Sequence, residues 1–149
     1  MLLRTYHVPN SVRILRGCQS LLMNYVYLEA GVPTRLHYTV WYFTVRLIND
    51  KESGKSRPIK SLVFWVDELG GEDVAKTHSI MSQKLLAHMI PWLHNKEFLN
   101  YDFIITKMGE GFYSDFNVQP IIRPDQIPIE ERKENFDVQK LIEKLWNSI

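Results

Sequence analysis

Residues 101–120, YDFIITKMGEGFYSDFNVQP, constrain the fold more than any other part of the chain. Two runs rich in β-branched and aromatic residues flank Gly109 and Gly111. Such runs around closely spaced glycines fold as a β-hairpin, because glycine supplies the positive φ that a tight turn needs. Lys107 stands just before this turn, and Phe112 and Tyr113 stand just after it. The tip therefore carries a cation and two aromatic rings. Rings and cations on a sheet are what gripping unpaired bases requires, since every base offers a π-face and every phosphate a charge.

The other strong β signal is residues 37–49, HYTVWYFTVRLIN, dense in Val, Thr, Ile and aromatic residues. A period of two places Trp41, Phe43, Val45 and Leu47 on a core face. Tyr42, Thr44 and Arg46 then lie on the solvent or ligand face. A polar loop, residues 50–58, leads to a returning strand over residues 59–67, with Leu62, Phe64 and Val66 inward. Lys60 falls on the same parity as Leu62 and fits that face poorly. Residues 11–15 and 21–28 read as earlier, weaker strands, and Gly31-Val-Pro33 as a turn. Residues 68–73 turn the chain, and spacings of three and four from Ile80 to Leu93 predict a helix over 74–94, disturbed by Pro91. Pro124 and Pro128 mark residues 123–134 as a linker. A C-terminal amphipathic helix over 135–149 follows, with Val138, Leu141, Ile142, Leu145 and Trp146 along one stripe.

This order predicts a mainly β fold, an OB-like five-stranded Greek-key barrel over residues 1–122 with one inter-strand helix. The 149 residues suit a single compact fold with a core large enough to need no staples. Cys18 is the one cysteine, so neither an intrachain disulfide nor a cysteine-rich zinc site is available. We find no secretory leader in the opening residues and no apolar run long enough for a membrane span, and expect a cytoplasmic protein. The net charge of +1 hides an asymmetry. Residues 1–60 hold nine Lys/Arg against three acids (+6), and residues 61–149 hold nine against fourteen (−5). A basic half beside an acidic half points to a polyanionic partner for the first.

Three enzymatic readings fail on local pattern. Gly54-Lys55-Ser56 resembles the end of a phosphate-binding loop. The glycine required five residues earlier is Asn49, though, and Arg57-Pro58 before a β-rich run forbids the helix whose amides would bind phosphate. Pro124-Asp125 with Glu131-Arg132-Lys133 spells a nuclease-like PD…ExK. Two-metal chemistry wants those groups on neighbouring strands, whereas this segment has Pro128 inside it and reads as a solvated charge run. The five histidines show no paired metal spacing, and no G-x-S-x-G nucleophile elbow is present. No catalytic residue, metal or cofactor is expected. The candidate nucleic-acid-binding set is Arg35, Tyr42, Arg46, Lys51, Lys55, Arg57, Lys60, Trp65, Lys107, Phe112 and Tyr113. For each of its aromatic residues, core packing competes with base stacking.

The hairpin is similar to that of the OB-fold single-stranded DNA-binding proteins of bacteriophages and similar replicons, of the form I-T-(basic)-x-G-x-G-aromatic-x-x-(Y/F)-x-V-x-P. Asn10-Ser-Val-Arg-Ile-Leu15 and the helix ahead of the hairpin add to the resemblance. It implies sequence-tolerant, non-catalytic binding of single-stranded DNA, or of RNA, in replication, recombination or repair. Lys107 would then meet phosphate, and Phe112 or Tyr113 would stack. Where many such proteins end in an acidic tail, this chain ends in a mixed-charge helix, which would pack on the barrel, self-associate or dock a replication protein. The alternative is a protein-interaction β-barrel, a viral or replisome component using that helix without nucleic acid.

Overall fold

A computed structural model describes residues 24–49, 52–111 and 113–147. Its elements are β1 (Thr34–Asn49), β2 (Ser56–Leu69), β3 (Glu72–Ile80), α1 (Gln83–Leu93), a 3-10 segment (His94–Asn100), β4 (Tyr101–Met108), β5 (Asp115–Ile122), the single-turn α2 (Ile129–Arg132) and α3 (Val138–Asn147). One five-stranded antiparallel sheet has the order β3-β2-β1-β4-β5. Three hairpin-linked strands with a fourth returning beside the first make a Greek key. The return runs through α1, between the third and fourth strands, as the sequence predicts. No helix among the described residues is long and apolar enough to cross a membrane.

The inner face of β2 follows its period of two: Leu62, Phe64 and Val66 have no exposed surface. In β1 the inward set changes parity. Leu36 and Tyr38 are buried, whereas further along Trp41 and Phe43 turn toward the core. The reason is a bulge, because Tyr38 pairs with Val66 and Val40 with Trp65, so one extra residue of β1 is absorbed there. Leu47, expected inward, is 71% exposed. The β1–β2 arm extends past the last β2–β3 pair, Leu62 with Ile80, and so outruns the core at that end.

The helix expected over 74–94 begins only at Gln83; its first third is β3. Gly70 and Gly71 both have positive φ, 62° and 85°, the backbone of a two-residue type I′ hairpin turn. That turn lays Val74, His78 and Ile80 along β2, where pairing outweighs their helix-like spacing. Ser82 then caps α1 by accepting from the Leu85 amide at 3.4 Å. Leu85, Leu86, Met89 and Leu93 are buried against the sheet. Tyr38 stacks on Phe64 with centroids 4.0 Å apart, and Phe98 meets Phe64 edge-on.

Val138 and Ile142 of α3 are buried in this same core, so the C-terminal helix packs on the fold. The segment expected as a linker is tied down as well. The Asn100 side chain accepts from the Ile127 amide at 2.8 Å and donates to the Ile127 carbonyl at 3.2 Å. Arg132, read as part of a solvated run, is buried: its guanidinium donates to Ile127 O (2.9 Å) and Asn95 O (2.6 Å) and pairs with Glu97 (2.9 Å). The Asn95 carbonyl lies in a left-handed turn 37 residues away, a distance no local pattern reveals.

Residues 24–31 form a strap rather than the strand expected over 21–28. Val26 donates to Thr77 O at 2.8 Å on the outer edge of β3, and Gly31 donates to Lys107 O at 2.8 Å on β4. Residues 11–15 and the first part of 21–28 lie outside the described residues.

Candidate nucleic-acid interface

Four elements converge on a cleft of about 390 Å³: the start of β2, the N-terminal end of α1, the β4–β5 hairpin tip and α3. Its chemistry comes from Lys60, Met81, Lys84, Tyr113 and Trp146. Lys60 stands on the inward parity of β2 because Trp146 meets it there. The ammonium lies 5.6 Å from the indole centroid, and Trp146 also packs edge-on against Phe43 at 5.7 Å. The aliphatic stem thus covers ring surface while the charge reaches the cleft.

The hairpin tip is anchored from α1. Lys84 Nζ donates to Tyr113 O at 3.0 Å and to Asp115 Oδ1 at 2.8 Å. The Lys84 hydrogen bond, and then its charge, hold the Asp115 carboxyl below the usual range. Within the tip, the buried Ser114 hydroxyl donates to Gly111 O at 2.9 Å. Gly109 and Gly111 have φ of 107° and 95°, where an L side chain would be strained. Tyr113 consequently projects from the tip, 83% exposed as a residue.

The sequence-predicted residues separate into groups. Lys60 and Tyr113 line the cleft. Lys55 and Arg57 are exposed on the arm leading to it, beside Pro58 and Ile59 of its wall. Tyr42 and Trp65 are half-buried at β1–β2 positions paired with Val63 and Val40, on the sheet face away from the core. Lys107 is half-buried, lining a second cleft of about 290 Å³ with Tyr27 and Gly111. Arg46 pairs through its backbone with Ile59. Lys51 and Phe112 lie outside the described residues.

Arg35 is committed elsewhere. It grips the buried Asp102 with Nε at 2.9 Å and Nη2 at 2.8 Å. Arg123 completes this network, binding Asp102 Oδ1 at 2.5 Å and Glu68 Oε2 at 2.7 Å. Beside it His37, buried, faces Asp67 Oδ1 with Nδ1 at 2.7 Å and Leu99 O with Nε2 at 2.9 Å.

Lys84, Asp102 and Arg123 are absent from the expected set, and Trp146, expected only on the apolar stripe of the C-terminal helix, joins the cleft. Trp146 had a signal in the misfit of Lys60 on an apolar parity, which calls for a ring to cover it. The others had none, because their partners are 21 to 67 residues away.

The nuclease-like residues Asp125, Glu131 and Lys133 are all exposed, and Glu131 sits on α2 rather than a strand. Ser56, after Lys55, opens a β-strand and not a phosphate-binding helix. No protein-family model matches the chain, and neither a curated protein nor a solved structure matches it.

Proposed function

We propose that this protein is a non-enzymatic, sequence-tolerant single-stranded nucleic-acid-binding protein, with single-stranded DNA as its first ligand, serving replication, recombination or repair. The observation that carries the reading is the cleft: an exposed ring, Tyr113, stands beside the Lys60 ammonium and Trp146 at the end of a Greek-key sheet. A base stacks on Tyr113, and the neighbouring phosphates meet Lys60 and the exposed Lys55 and Arg57. The alternative, in which α3 docks a partner protein, is less favoured because its apolar residues Val138 and Ile142 are used by the core.

The test is fluorescence anisotropy of a labelled oligo(dT) of about 30 nucleotides, with an equal-length duplex as control, across a salt series. Single strand should bind far better than duplex. The double change Lys55→Ala with Arg57→Ala should lower the salt slope by about 1.4, at about 0.7 per single-strand phosphate contact. Tyr113→Ala should cost about 1–3 kcal/mol with the slope unchanged. Equal affinity for both forms of DNA, or no binding at low salt, would refute the proposal.

A further inference from the structure

We infer that His37, Asp67 and Glu68 form a binding site for one divalent first-row transition ion of the Zn²⁺ type. One ligand atom from each of these residues lies within 4.8 Å of the other two. His37 and Glu68 are a cross-strand pair of β1 and β2, and Asp67 adjoins Glu68 at the bulge in that pairing. The strand register brings the three together.

The ring of His37 carries the argument. Its side chain is 92% buried, being 8% exposed, and both of its nitrogens face oxygen. Leu99 O is a carbonyl and only accepts, so with Nε2–H placed on it the neutral ring keeps Nδ1 as its lone pair. Nδ1 is then a lone pair aimed at a carboxylate 2.7 Å away, two acceptors face to face. In that tautomer Nδ1 is the ring atom offered to an ion beside the Asp67 and Glu68 carboxylates. The surroundings match an ion. A metal-bound imidazole holds its other N–H on a carbonyl or carboxylate, as Nε2 holds Leu99 O. A ligating carboxylate is itself hydrogen-bonded from outside, as Glu68 Oε2 is by Arg123 at 2.7 Å.

Asp67 and Glu68 are 40% and 29% exposed, which leaves the ion a way in and the carboxylates room to rotate. With bonds near 2.1 Å, donors on one ion lie about 3–3.4 Å apart, already close to the His37–Asp67 separation. One nitrogen and two carboxylates suit Zn²⁺ or Mn²⁺ better than the all-oxygen preference of Ca²⁺ or Mg²⁺.

Titration calorimetry of the full chain with Zn²⁺, in two buffers of different ionisation enthalpy, tests this. One site per chain is expected, with the same stoichiometry in both buffers. Asp67→Asn and Glu68→Gln should each weaken it at least tenfold, while His88→Gln with His94→Gln leaves it unchanged. Should a carboxylate variant fold poorly, ¹⁵N spectra of the native protein decide independently: the His37 Nδ1 resonance should shift as Zn²⁺ is added, while those of His88 and His94 stay in place. Absence of saturable binding would overturn the proposal. So would binding that follows His88 and His94, or a His37 Nδ1 resonance unmoved under saturating Zn²⁺.

Discussion

The guanidinium of Arg132 meets the carbonyls of Ile127 and Asn95 and the carboxylate of Glu97, with the side chain almost wholly enclosed. Asn95 and Lys96 adopt left-handed backbone, φ 51° and 52°, which bulky residues avoid. Arg132 and the Glu134 amide, bonded to Asn95 Oδ1 at 3.2 Å, hold that turn in place. Arg132→Met keeps the apolar stem but strands the Asn95 carbonyl and frees Glu97. The expected cost is about 3 kcal/mol, read as a lower urea midpoint with little change in slope. Neighbouring Lys133→Met, on an exposed side chain, should stay within about 0.5 kcal/mol. Exposure of Tyr113 and the oddness of Lys60 were legible in sequence, because each depends on near neighbours and strand parity. The burial of Arg132 and the capture of Arg35 by Asp102 were not, since a charge shows only its sign until the fold supplies its partner.

Among elements, the two glycine-centred turns had different legibility. The hairpin at 101–120 was read correctly because β-rich runs flank its glycines on both sides. Gly70-Gly71 is an equally strong hairpin signal, yet Val74 to Ile80 was read as helix because its apolar spacing continues smoothly into α1. Helix α3 was legible as an amphipathic helix, but which surface its stripe would meet was not. Its partners are core residues contributed by β1, β2 and α1. Ile142→Ala should therefore cost about 2–5 kcal/mol, as for an aliphatic side chain in a core. Glu143→Ala, next to it on the exposed side, should cost under about 0.5 kcal/mol. Equal small effects in urea unfolding would show α3 detached from the fold.

For the molecule as a whole, the pair Tyr38–His78 at the centre of the core sets a pH window. The Tyr38 hydroxyl and His78 Nδ1 are 2.7 Å apart, both buried. Burial pushes the His78 imidazole from 6.5 down to about 4, and the Tyr38 phenol well above its usual 10. Unfolded His78 takes its proton near pH 6.5 while the folded ring resists until about 4, so stability falls as pH drops between those values. The loss should reach about 2 kcal/mol at pH 5 and about 3 below pH 4. On the alkaline side, unfolded Tyr38 ionises above about 10 while the folded phenol does not, and stability falls as pH rises. Urea midpoints should be level from about pH 7 to 9, and His78→Gln should flatten the acid limb. By itself the sequence determined the β character, the hairpin and its exposed tip, the arm cations and the amphipathic C-terminal helix, because period, turn chemistry and parity are local properties. Only the tertiary structure decided the parity change in β1, the strand identity of residues 72–80, the covering of Lys60 by Trp146 and the pairing of Arg35, Arg123 and Arg132. Each of these depends on contacts between residues far apart in the chain, whose free energy is gained only when the sheet brings them together.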